Sequence, residues 1–186
     1  MSNHPLLVAV DPGVSGAIVT YHHHLGLSSY NMPGTDWEVC KLVADITTQA
    51  SKVVLYLEEP PLYAGRNIPG SAIGKLMWNT GVLYGAAVAC GWEVHRVRPA
   101  IWQKAHPVGT KGDMSTTAWK NKLKARAGEL YGSVPGIKVT LANADALLIL
   151  DAAKRHGVDI PHLCHLDGYR ADGNCRACVV EIKGER

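Results

Sequence analysis

The chain has 186 residues, of which 47% are hydrophobic and 19% charged, with a formal net charge of +3. That length suits one core of about 150 residues plus a small appendage, and the composition fits a soluble intracellular protein. Five cysteines without an export signal argue against a disulfide framework, and the apolar stretch from Ala72 to Gly91 is a poor membrane span because Lys75, Asn79 and glycines break it. Cytoplasm is the expected location.

Leu6 to Val10 reads as a strand buried on both faces, stopped by Pro12 and Gly13, and Gly16 to Tyr21 supplies a second apolar, β-branched run. The resulting hairpin carries Asp11 at its rim, where an aspartate serves equally well as a turn cap. Leu27 to Asn31 reads as a third strand. Asp36 to Ala50 follows as an amphipathic helix that offers Trp37, Cys40, Leu42, Val43 and Ile46 to the core. A strand from Lys52 to Leu57 then runs into Glu58 and Glu59 before Pro60 and Pro61 forbid further pairing.

The segment LYAGRNIPGS forms a loop in which Tyr63 is suited to stacking on bases and Arg66 to holding a phosphate, although a packed Tyr in a solvated loop has the same composition. Ala72 to Gly91 reads as a helix whose Gly74, Gly81 and Gly85 share a face open to close approach by the sheet or a second subunit. Glu93 to Val97 is the fifth strand, with Arg98, Trp102 and Lys104 just beyond it and Trp102 expected as a core anchor. Gly109 and Gly112 flank Lys111 in a loop fit to close on a phosphate backbone.

The helix from Thr116 to Tyr131 places Trp119, Leu123, Ala127 and Leu130 on one stripe, with Lys120, Lys122, Lys124 and Arg126 mostly elsewhere. From Arg96 to Arg126 there are eight Lys or Arg residues and one acid, Asp113, a distribution that suits a phosphate-binding face. The last helix, from about Ala142 to Arg155, sets Asp145 on the face of Leu148, Ile149 and Ala152; Asn143 as N-cap and the helix dipole would also explain an acid there. Asp11, Glu58 and Asp145 each end or interrupt an apolar element. A divalent cation is an economical shared partner, because hard cations take carboxylate oxygens and a pair of them can clamp a phosphoryl displacement.

The succession VAVDPGVSGAI, VLYLEEPP, VRPAIWQKA and NADALLIL resembles the RuvC-like Holliday-junction resolvases, particularly compact phage-type members, over roughly residues 6–155. The resemblance implies an α/β, RNase H-like fold with a central mixed five-stranded sheet flanked by helices. It further implies a homodimer, dependence on Mg²⁺ or Mn²⁺, and nicking of four-way DNA junctions, in a bacterial host if the chain is phage-encoded. Asp11, Glu58 and Asp145 match the family's metal-binding catalytic acids, Glu59 being the less favoured neighbour of Glu58, and Lys104 resembles a basic residue near the scissile phosphate. Tyr63, Arg66, Lys75, Arg98, Lys104, Lys111, Lys120 and Lys124 are the expected DNA contacts. The glycine-bearing helix corresponds to the family's dimerising helix. The family usually carries a further acid or His where this chain has Ala142, and Asn143 offers a weaker amide oxygen nearby. A branched-DNA binder without nuclease activity is therefore the alternative.

Residues 1–155 are the expected nuclease domain and 156–186 a short Cys-containing tail. The tail resembles the start of the [2Fe–2S] ferredoxin-like module of formate dehydrogenase large subunits, with Cys164, Cys175 and Cys178 at its first three ligand positions. A cluster takes four ligands. The fourth cysteine is absent, so a cluster is not expected, and iron–sulfur electron transfer is a distant alternative to DNA cleavage; His162 or His165 would complete a Cys₃His zinc site.

Overall fold

The computed structural model describes residues 4–60 and 69–155, which lie within the unit Met1–Arg155. Tyr63, Arg66, Cys164, Cys175, Cys178, His162 and His165 fall outside the described residues. Five strands, β1 (Leu6–Asp11), β2 (Ala17–His22), β3 (Gly26–Asn31), β4 (Val53–Glu58) and β5 (Glu93–Val97), form one sheet in the order β3-β2-β1-β4-β5. β1 pairs antiparallel with β2, and β2 with β3, whereas β1 with β4 and β4 with β5 are parallel. The β1 to β2 turn is possible because residue 16 is glycine: a Cβ there would collide with the carbonyl oxygen of Asp11.

Both faces of the sheet are covered, which is why its central strands read as apolar runs. Leu6, Val8, Val10, Ile18, Leu55 and Leu57 pack against α1 (Asp36–Thr47) and α2 (Gly70–Ala89). The opposite face carries Ala9, Ala17 and Val19 beneath α3 (Pro99–Lys104), α4 (Thr116–Tyr131) and α5 (Ala144–Arg155). Nine residues of α5 are buried, so this helix is the spine of the second core layer. No helix among the described residues is long and apolar enough to cross a membrane.

The helix α1 buries Val39, Val43 and Ile46, a spacing of four and three residues, and begins in a capping box between Thr35 and Glu38. Trp37 and Cys40 therefore point away from the core. Trp37 is 76% exposed and Cys40 is exposed and free, correcting their expected burial. Over its 20 residues α2 buries just Leu83 and Ala87, leaving Met77, Trp78, Tyr84 and Val88 exposed. A Cβ at Gly74, Gly81 or Gly85 would meet nothing within 4 Å, so this face is open.

Candidate active site

The sheet register brings the first two acids together. Val10 pairs with Leu57 in the parallel β1 and β4 ladder, so the next residue on each strand, Asp11 and Glu58, stands at the same carboxyl end and on the same face. That face carries α5, whose first turn supplies Asp145. Asp11 is further fixed by its own turn, where Oδ1 accepts from the Gly13 amide at 3.2 Å. Glu58 Oε2 accepts from the indole Nε1 of Trp102 at 3.2 Å. Trp102 is 1% exposed, so it both fills the core and holds the carboxyl.

Lys120 of α4 reaches into this group. Its ammonium donates to Asp145 Oδ2 and lies 3.9 Å from Asp11 Oδ2. The periodicity carries a signal for this that the sequence reading missed: Lys120 precedes buried Leu123 and Ala127 by three and seven residues and follows buried Trp119, placing it beside the apolar stripe. Asp11, Ser15, Thr116, Thr117, Lys120 and Ala142 line a cleft of about 470 Å³ at this end of the sheet. Ser15, Thr116 and Thr117 were not among the expected site residues. Lys111 donates to Thr116 Oγ1 at 3.1 Å and thus lies near the cleft, and Lys124 follows Lys120 by one helical turn. Lys75, Arg98 and Lys104 are exposed on α2, at the cap of α3 and at its last residue.

Two neighbours of the acids turn elsewhere. Glu59 lines a separate cleft with Met77, Thr80, Gly81, Tyr84 and Arg96. Asn143 accepts from the Thr140 amide at 2.8 Å and from its hydroxyl at 3.2 Å, while its amide nitrogen donates to Ser29 Oγ and the Lys138 carbonyl. Its oxygen braces the turn before α5 instead of facing the acids. Ala142 lies in that same turn, not in the helix as expected, yet still lines the cleft.

Removal from water, reinforced by the negative charges of Asp11 and Asp145, pushes the Glu58 carboxyl up to about 8, against the pull of Lys120 and Trp102. Burial likewise raises Asp145 above the usual carboxylate range, although Lys120 opposes it. Burial disfavours the Lys120 ammonium, but Asp145 and Asp11 outweigh that and hold it charged. Asp145 Oδ1 is buried without a hydrogen-bond partner. Among the described residues no three acidic, His or Cys side chains already converge on one point as a metal site. An orphaned carboxylate oxygen and a carboxyl raised by its anionic neighbours are nonetheless the donor chemistry a hard divalent cation satisfies, so the residues fit such an ion.

One outcome follows for pH. A cation bound through Glu58 must displace its proton, so Mn²⁺ affinity should rise roughly tenfold per pH unit below about 8 and flatten above it. Glu58→Gln should remove this dependence in calorimetric titrations at pH 6.5, 7.5 and 8.5, each pH being about a unit apart. The sign for the metal-free fold is opposite: its raised Glu58 binds the proton more tightly than the unfolded chain does, so stability falls as pH rises from 4.5 towards about 8. A metal affinity independent of pH would exclude Glu58 as a ligand.

Comparison with known proteins bears on both parts of the chain. RuvC of Thermus thermophilus in complex with a Holliday junction substrate matches with a TM-score of 0.55 and 16% identity over 83% of this chain and 97% of that one. A second structure of Thermus thermophilus RuvC matches with a TM-score of 0.49 and 17% identity over 82% and 96% of the two chains. The chain thus has the α/β, RNase H-like fold of the first of these, a mixed five-stranded sheet flanked by helices. Residues 133–186 match the family described as a 2Fe-2S iron-sulfur cluster binding domain. The match begins before α5, which packs into the core above the sheet. A search of curated proteins finds no match.

Proposed function

We propose that this protein is a metal-dependent, structure-selective endonuclease that nicks four-way or other branched DNA by phosphodiester hydrolysis, acting as a homodimer in the cytoplasm. The observation that carries this reading is the meeting of Asp11, Glu58 and Asp145 at one end of the sheet, beside a cleft that also presents Lys120. The fold supports it, since the RuvC with which it is shared is bound to a Holliday junction.

When bound, Mg²⁺ or Mn²⁺ supplies Lewis-acid polarisation and charge neutralisation at the phosphate. Asp11, Glu58 and Asp145 would hold it. Glu58 releases its proton to do so, and Trp102 keeps the freed carboxylate oriented. Lys120, held beside Asp11, presents its ammonium at the cleft, where a preorganised positive charge stabilises negative charge developing on the phosphate. Lys111 and Lys124, near the cleft, and the exposed Lys104, Arg98 and Lys75 hold the flanking backbone. Tyr63 and Arg66, outside the described residues, are proposed to meet the bases and phosphate at the branch point.

The open face of α2 suits a subunit contact, because exposed Met77, Trp78, Tyr84 and Val88 surround glycines with free space above them. The protein should sediment as a dimer at micromolar concentration, and Gly81→Leu should shift it toward monomer. A monomeric wild type would remove α2 as the interface.

A junction binder without nuclease activity is the second reading, favoured by Ala142 in the cleft wall. The test that separates the two is nicking of a labelled four-way junction against linear duplex of the same sequence, with and without Mg²⁺ or Mn²⁺. Metal-dependent nicking confined to the junction supports the nuclease; tight junction binding with no nicking supports the binder. The iron–sulfur likeness of residues 133–186 supports a cysteine-rich module there, with Cys164, Cys175 and Cys178 as its candidate thiolate ligands. The reaction proposed here uses none of them.

A further inference from the structure

We propose that Asp11, Glu58 and Asp145 together take one divalent cation per chain, with the Lys120 ammonium standing where a second cation would otherwise be held. This rests on the reading of Asp11, Glu58 and Asp145 as metal ligands, and goes beyond it by fixing how many ions they hold.

A two-metal site needs oxygen ligands for each ion, the two sitting about 3.5–4 Å apart. The cleft wall supplies none for a second. Residue 142, at the turn facing the cleft, is alanine. The Asn143 oxygen accepts two bonds from Thr140. Glu59 lines a different cleft against α2. What remains on that wall is the hydroxyls of Ser15, Thr116 and Thr117, neutral donors that do not offset a second double charge.

In place of a second cation the fold delivers an ammonium. The preceding Trp119 is buried and seats this turn of α4 against the core, so Lys120 leaves the helix beside the acids. Its Nζ contacts Asp145 Oδ2 and lies 3.9 Å from Asp11 Oδ2, so its charge stands between two of the carboxylates that would hold a cation. Asp145 therefore divides its two oxygens: Oδ2 faces Lys120, and Oδ1, buried without a partner, is left for one cation. A second dication beside this ammonium would meet like charge without a carboxylate of its own.

The count is measured directly by titrating Mn²⁺ into the full chain and following free Mn²⁺ by electron paramagnetic resonance. Ions held elsewhere are removed by subtracting the count for the Asp11→Asn/Asp145→Asn double variant. The expected difference for wild type is one ion per chain. Lys120→Arg, which keeps the charge, should also give one, and Lys120→Met/Ala142→Asp, which removes the ammonium and restores a carboxylate, should give two. A difference of two in wild type would overturn the count while leaving the metal site standing. A difference of zero would overturn the metal site itself. A folded Lys120→Met/Ala142→Asp variant, checked by its thermal melt, that still holds one ion would show that Lys120 is not what limits the number.

Discussion

Asp11→Asn is expected to lower the nicking rate on a four-way junction by about two to three orders of magnitude while leaving junction affinity within roughly twofold. The substitution removes one unit of negative charge from the proposed ligand at the end of β1 but keeps its shape, so the Gly13 amide retains an acceptor and the turn stays folded. Binding is expected to rest on the lysines and arginines between Arg96 and Arg126, and Lys120, the one 3.9 Å from Asp11, keeps Asp145 as its partner in the variant. Gel-shift titration and single-turnover nicking on the same preparation separate the two effects. Equal loss of binding and cleavage would mean that Asp11 shapes the DNA-binding surface and does not act in the chemical step.

The largest stability effect should come from Trp102→Ala. The indole is 1% exposed in the layer formed by α3, α4 and α5, so its removal opens a cavity and costs about 3–5 kcal/mol, read as a lower urea midpoint with an unchanged slope. Trp102→Phe should keep most of the packing and lose the Nε1 donor to Glu58, costing about 1 kcal/mol. That smaller change has a specific second effect. Without the indole donor the carboxylate form of Glu58 is less favoured, so Mn²⁺ affinity at neutral pH should fall even in the folded protein. A Trp102→Phe variant that is destabilised but binds Mn²⁺ as tightly as wild type would limit Trp102 to packing.

The strands were legible because each apolar run meets a residue that cannot continue it: Pro12 after β1, Pro60 after β4, and the turn at Gly91, whose φ of +75° favours glycine, before β5. Every strand lies within a residue of its expected start and end. The acids were legible for a related reason, since Asp11 directly precedes Pro12 and Glu58 is separated from Pro60 by Glu59 alone. Helix faces were harder to read. Trp37 and Cys40 are apolar residues on α1 whose hydrophobicity says nothing about which of two faces meets the sheet, and Val39, Val43 and Ile46 won that face. The short α3 escaped notice because six residues give too few turns for a periodic pattern, although Pro99 at its first turn is a start signal.

Pairing was the part that sequence could not supply. Lys120 reads as one lysine among several in a basic run, and 25 residues separate it from Asp145; the fold alone brings α4 alongside α5 and turns that lysine inward. Asn143 directly precedes α5, as a cap would, but its side chain is engaged elsewhere: Ser29 on β3, 114 residues away, accepts from its amide nitrogen while its oxygen accepts from Thr140. Trp102 was expected as a core anchor from its place after β5, but its bond to Glu58 depends on α3 folding back over the end of β4.

The central claim is that Asp11, Glu58 and Asp145 form one metal-dependent phosphodiester-cleaving site. The most direct measurement is single-turnover nicking of a 5′-labelled four-way junction across a Mn²⁺ titration, run side by side for wild type and Asp145→Asn. Wild type should nick the junction with a rate that saturates in Mn²⁺ and disappears with chelator, and Asp145→Asn should bind the junction but not nick it at any Mn²⁺ concentration. Nicking that persists in Asp145→Asn, or that is indifferent to chelator, would contradict the claim.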